Sequence, residues 1–273
     1  MRTSLTQSVV ARVILVVAGL AALAPLIGVL LMSLGSPAER GGKVSLGSPH
    51  FANFQVVWSQ AQLPEALRTS LTISVVATLL TVVLSVPAGY AFASFRFPLR
   101  AVLFVVMLSG LMLPNESLII PLFLDFRNLG LDNSLWGVVL VETGLSLAFG
   151  SFWMRSFFLT APDGLVDAAR TDGANTFVIL VRVLAPLARP QVLALAVLTF
   201  VWTWNDLLVP LVLLSGGGYV TAPMTLATFQ GQHLTNYAYL SAAALMTVLP
   251  VVLVYVVLQR SFARGVMAGA VRE

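Results

Sequence analysis

Apolar residues in this chain run in long blocks separated by short polar segments, rather than alternating at the short periods of a half-buried helix or strand. A helix that crosses the hydrocarbon core of a bilayer needs roughly 20 mostly apolar residues. Six blocks approach or exceed that length, at about 13–34, 70–93, 101–125, 134–158, 190–214 and 238–259. The pattern predicts an all-α integral membrane protein with six transmembrane helices, forming one domain over 1–273. The first block follows Arg2 and Arg12, which is also how a signal peptide begins. The apolar run from Val13 to Leu34 is too long for a signal-peptide core of about 7–15 residues, so a retained helix is expected. There is no repeat at solenoid periods.

Composition agrees with the pattern. Charged residues make up 10% of the chain and hydrophobic ones 58%, against about 25% charged in an ordinary soluble domain. With no cysteine, disulfides and thiolate metal sites are excluded. The two histidines, His50 and His233, are too far apart in sequence to suggest a metal cluster, and His233 is expected in solvent. The net charge of +4 does not point to nucleic acid, because the basic residues are scattered between apolar blocks. Eleven of the 15 (Arg2, Arg12, Arg96, Arg100, Arg155, Arg170, Arg182, Arg189, Arg260, Arg264 and Arg272) fall on one side of a six-span topology. Arg40, Lys43, Arg68 and Arg127 fall on the other. The positive-inside rule then places both termini, and the segment 159–189, in the cytoplasm.

That segment is the most informative part of the sequence. Pro162 and Asp163 suit the first turn of a helix, and Leu165, Ala168 and Ala169 share one face at i, i+3 and i+4. Gly173 is placed to end this helix and Asn175 to cap the next, which runs toward Pro186. The expectation is two short helices at an angle whose small-residue face suits a protein partner. An ordinary amphipathic connector is the alternative.

At these residues the chain resembles the permeases of binding-protein-dependent ATP-driven importers. Their loop carries Glu-Ala-Ala, a glycine after three further residues, and a later Leu-Pro pair. Here Asp167-Ala168-Ala169 and Gly173 keep that spacing, and Asp172-Gly173-Ala174 has the form typical of sugar importers. Asp167 replaces the glutamate, and Leu184-Ala185-Pro186 separates the leucine from the proline. The resemblance extends along the chain to the second permease of maltose-type systems. It is carried by Asn53-Phe54 with Val57-Trp58, Tyr90-Ala91-Phe92-Ala93 with Phe97, Met112 with Pro114 and Ile120-Pro121-Leu122, Trp204-Asn205-Asp206, and the tail Gly269-Ala270-Val271. Ser94 stands where arginine is common in the family.

The resemblance implies a type I ABC importer (MetI-like) permease fold in a bacterial cell membrane, forming half of a sugar translocation pore. It implies a second homologous permease, two cytoplasmic ATPase subunits and an extracellular or periplasmic sugar-binding protein as partners. Leu165, Asp167, Ala168, Ala169, Asp172, Gly173 and Ala174 would form the coupling helix that docks in the ATPase. The chain lacks a glycine-rich phosphate loop, since its one lysine, Lys43, follows Gly41-Gly42 but precedes Val44. The chain is therefore expected to bind no cofactor and catalyse no reaction, with ATP and Mg held by the partner ATPase.

Polar residues inside spans are costly and mark candidate pathways. Trp202 and Asp206, four apart, are expected to share one face of the fifth span with Asn205 beside it, where a carboxylate, an amide and an aromatic face suit a sugar. Their alternative role is helix packing. Glu116, between Pro114 and Pro121, is either a pathway residue or a carboxylate at the external interface. Glu142, part-way into the fourth span, belongs to the pathway or a subunit interface, or serves packing. Trp136, Trp153 and Tyr237 lie near span ends and fit an interfacial belt. Two other classes are alternatives. An ion-coupled secondary transporter commonly uses broken helices at the midplane. A membrane hydrolase would need a nucleophile with a base, a zinc motif or paired aspartates, none of which is present.

Overall fold

The computed structural model describes residues 5–37, 49–230 and 235–270, with side chains placed over 11–37, 49–162, 164–230 and 235–259. Arg2, Arg40, Lys43, His233 and Arg272 lie outside the described residues, as do the side chains of Asp163, Arg260 and Arg264. The described chain is helical. Its helices are α1 (Leu5–Ser33), α2 (Ala52–Gln60), α3 (Leu63–Ser94), α4 (Arg100–Ser109), α5 (Asn115–Asn128), α6 (Leu135–Phe158), α7 (Asp163–Thr171), α8 (Thr176–Val178), α9 (Ala185–Leu187), α10 (Arg189–Asn205), α11 (Leu208–Leu213), α12 (Ala222–Leu226) and α13 (Tyr237–Ala270). A π-helical turn over Ile179–Leu184 joins α8 to α9, and a lone bridge links Gln230 and Thr235.

Four helical stretches are long and apolar enough to cross a bilayer unbroken: Ala11–Ser33, Leu63–Ser94, Leu135–Phe158 and Tyr237–Gln259. The other two expected spans are not single helices. The block at 101–125 breaks between Arg100–Met112 and Asn115–Asn128, which meet at 102°. Pro114 causes the break: it has no N–H to donate and disfavours helical backbone at Leu113, and both residues are extended with ψ of 130° and 124°. The block at 190–214 stops at Asn205, and Asp206 is extended with ψ of 126° before α11 begins. On its other side, α10 meets Thr176–Leu187 at 77°. Six crossings follow only when each bent pair is taken as one span.

Contacts group the chain into two compact units, Met1–Pro64 with Thr225–Leu249, and Glu65–Met224 with Pro250–Glu273. In the first, Asn53 is buried and its Nδ2 donates to the carbonyls of Ser33 at 2.8 Å and Gly35 at 2.9 Å, tying α2 to the end of α1. The Ser33 carbonyl is one that a helix end leaves without a partner. The apolar stretch of α1 is wholly exposed, as expected of a helix that faces lipid or a partner chain.

The second unit is built on α6 and α3, which approach closely through small residues. A Cβ on Gly89 would fall 2.6 Å from Met154 Cβ and 2.7 Å from the Arg155 nitrogen, and one on Gly150 would collide with Ser85. In lipid, such close packing replaces the hydrophobic drive that water supplies elsewhere. Buried Ser74, Thr78, Thr81 and Ser85 line α3 at this face. One core gathers Ile73, Ile119, Val138, Val141, Val209 and Leu213. Another gathers Tyr90, Met154, Phe158, Ile179, Leu184 and Leu195, with Trp153 packed against it. Trp153 Nε1 donates to the Gln191 carbonyl at 3.1 Å, which ties α6 to α10.

Candidate functional site

The loop after α6 forms the expected pair of short helices. Pro162, extended at ψ 121°, leads into α7. At the other end Gly173 has φ +82°; its N–H donates to the Arg170 carbonyl at 3.0 Å, and that of Ala174 to Ala169 at 2.9 Å. This pair of bonds is a Schellman closure, and it needs a left-handed residue that glycine adopts without a Cβ penalty. Asn175 Oδ1 then accepts from Val178 N at 2.9 Å and starts the next helix.

One expectation changes here. Ala169 does not share the free face with Leu165 and Ala168. It packs with Val166 and Ala174 against the core of Phe158, Ile179 and Leu184. Leu165, Asp167, Ala168 and Asp172 point outward, with Leu165 45% exposed. The helix is seated by one stripe and presents the other. The ion pair of Asp167 with Arg170, at 3.7 Å, is exposed on both sides and adds little stability. Phe177, 71% exposed just after the Asn175 cap, continues the outward surface. Sequence reading passed over it, although an aromatic residue within a first helical turn on a polar loop is a visible signal.

Within the second unit, a cavity of about 740 Å³ brings together all five of the other singled-out residues: Glu116, Glu142, Trp202, Asn205 and Asp206. Its size falls in the range of small-molecule pockets. The route by which the residues meet differs from the one the sequence suggested. Trp202 and Asp206 do not share a helical face, because α10 ends at Asn205. The three residues of Trp204-Asn205-Asp206 diverge. Trp204 is buried and stacks on Phe200, with centroids 5.7 Å apart. Asn205 is exposed and its Nδ2 donates to Val201 O at 2.7 Å. Asp206 Oδ1 accepts from Leu208 N at 2.8 Å and Val209 N at 3.4 Å, capping α11. An aspartate at this position is favoured both as a cap and as a charge at a helix N-terminus.

Glu142, 5% exposed, projects from α6 toward the same point. Its Oε2 accepts from Thr203 Oγ1 at 3.3 Å, and Asp206 lines the same cavity. Glu142 Oε1 has no hydrogen-bond partner among the described residues. Among the described residues no lysine, arginine or histidine pairs with this carboxyl. Trp202, 47% exposed, meets Phe149 edge to face at 4.9 Å and gives the cavity an aromatic wall. Phe149 and Thr203 escaped sequence reading. Phe149 stands seven residues from Glu142 on α6, and such spacing returns a side chain to the same face. Glu116 sits exposed in the first turn of α5, where a carboxylate also complements the helix dipole.

Residues 85–268 match the family model described as binding-protein-dependent transport system inner membrane component. An osmoprotective compounds uptake permease protein of Synechocystis sp. is 35% identical over 82% of this chain and 76% of its own length. A diacetylchitobiose uptake system permease protein of Streptomyces coelicolor is 31% identical over 96% of this chain and 88% of its own. Among solved structures, a chain of a bacterial ABC transporter involved in import of the acidic polysaccharide alginate superposes with a TM-score of 0.80. That likeness covers 96% of this chain and 99% of the other at 24% identity, and it shows a shared fold.

Proposed function

The chain belongs to the family of binding-protein-dependent transport system inner membrane components, and from that membership we propose that it is the permease subunit of an ATP-driven carbohydrate importer. It forms half of a translocation pore with a second homologous permease. Two cytoplasmic ATPase subunits bind ATP and Mg and drive it, and a binding protein on the opposite side delivers the sugar. The chain performs no covalent chemistry. The arginine distribution supports cytoplasmic termini and a cytoplasmic α7. A sugar as cargo is supported by the relative named for diacetylchitobiose and by a cavity that combines Trp202 and Phe149 with carboxyl and amide groups. Membership in a binding-protein-dependent family leaves no support for the ion-coupled alternative.

The observation that carries the reading is the seating of α7. Ala169 and Ala174 hold the helix against the chain's own core, and Gly173 closes it. Leu165, Asp167, Ala168 and Asp172 face away from the chain's own packing. A helix held on one side and free on the other is suited to transmit displacement from a docked subunit into the α6 and α10 segments behind it. Ala168→Arg tests this, because the exposed side chain adds bulk without disturbing the fold. The variant should insert in the membrane at wild-type level but lose co-purifying ATPase and ATP-coupled uptake, as should deletion of 163–174. Co-purification of the ATPase at wild-type yield with either variant contradicts the docking role.

A further inference from the structure

The cavity carries three carboxyl groups, Glu116, Glu142 and Asp206, and among the described residues no lysine, arginine or histidine lines it. Neither Arg155 of α6 nor Arg100 of α4 lines it. Arg155 donates from Nε to Phe92 O at 3.1 Å and lies 4.3 Å over the Phe104 ring, and Arg100 donates to Phe95 O at 2.9 Å. Asp206 Oδ1 is occupied by the cap of α11. Glu142 Oε1 is different: it is buried, belongs to a residue lining the cavity, and receives no donor from the described chain. A buried acceptor left without a donor is unfavourable. A substrate hydroxyl supplies the donor. A carboxylate, sulfonate or phosphate on the substrate offers no such donor and no cation answers it. Away from bulk water the repulsion between like charges is also screened less.

We propose, building on the sugar-importer reading, that this chain's wall of the cavity selects neutral, hydroxyl-rich substrates and rejects their anionic counterparts, with Glu142 accepting a substrate hydroxyl and Asp206 and Glu116 supplying the repelling field. The Trp202–Phe149 wall contributes an apolar face that does not distinguish the two classes. The discrimination rests on the carboxyl groups.

The chain has no cysteine, so its field can be read with one introduced thiol. Gly144 lines the cavity, and a Cβ there meets nothing within 4 Å. In the assembled transporter carrying Gly144→Cys, modification of this chain by a cationic trimethylammonium-ethyl methanethiosulfonate is compared with the anionic sulfonatoethyl reagent. Both rates are normalised to a free small thiol. The cationic reagent should react faster by on the order of tenfold, the scale expected for unit charges several Å apart in a partly hydrated site. The ratio should fall toward one in Glu142→Gln with Asp206→Asn, substitutions that keep a hydrogen-bonding oxygen for Thr203 and for the α11 cap. Glu116→Gln, at an exposed site, gives a second variant with a smaller fall. A ratio near one in the parent, or one unmoved by both variants, overturns the proposal.

The substrate consequence is read in proteoliposomes with a neutral sugar and its uronic acid counterpart, each saturating the binding protein. Glu142→Gln with Asp206→Asn should raise acid uptake relative to neutral uptake several-fold, and an unchanged ratio overturns the selection. The thiol ratio reports the field whether or not a sugar is carried. Failure of the sugar reading shows separately, as no ATP-dependent uptake of any neutral sugar.

Discussion

Asp206 serves a helix cap and the cavity at once, and its roles separate by substitution. Its Oδ1 caps α11, while the residue lines the cavity with Glu142. Asp206→Asn keeps the cap and removes the charge, whereas Asp206→Ala removes both. The alanine variant should lose about 1 kcal/mol of stability, the usual worth of an N-cap. The asparagine variant should melt within a degree or two of wild type in a thermal scan of the purified transporter. A second residue-scale prediction concerns the α3–α6 contact. Gly150→Leu forces a branched side chain onto Ser85 and should cost roughly 1–3 kcal/mol, read as a lower melting temperature and reduced monodisperse yield. A leucine tolerated there without loss would show that the two helices do not approach as closely as described.

At the scale of elements, α7 depends on its closure. Gly173→Ala places a Cβ in left-handed backbone at φ +82° and should cost about 1–2 kcal/mol of local helix stability. If docking requires the formed helix, ATPase affinity should drop by roughly tenfold in a titration, since each 1.4 kcal/mol is a factor of ten. This helix was legible in the sequence because every signal for it is local: Pro162 before the first turn, Gly173 after the last, and Asn175 as the following cap. The bends were not. Hydropathy is an average over a window, and it stays high across Leu113–Pro114 and Asn205–Asp206 because apolar residues flank both. Pro114 was visible beside Glu116, but the 102° angle between the two helices it separates required the fold. Asp206 read as one more helical residue because its capping role depends on where α11 starts, a tertiary outcome. The cavity was legible as a set of costly polar residues. The convergence of Glu142, Asp206 and Thr203 at one point required the fold.

At the scale of the whole molecule, a seated helix on one polar loop accompanies an acidic, aromatic-walled cavity among the apolar helices. The same unit contains both: α6 carries Glu142 and runs into α7, while α10 carries Trp202 and follows the π-helical turn and Pro186. Continuous chain and a shared core join α7 to the helices that line the cavity. The most direct test is sugar uptake by proteoliposomes holding this chain, its partner permease and the ATPase, with the binding protein supplied on the side opposite the ATPase. Uptake of a neutral sugar should require both ATP and the binding protein, and Ala168→Arg should abolish it while leaving the variant inserted at wild-type level. Uptake that survives Ala168→Arg, or that follows a proton or sodium gradient with no ATPase present, would contradict the account.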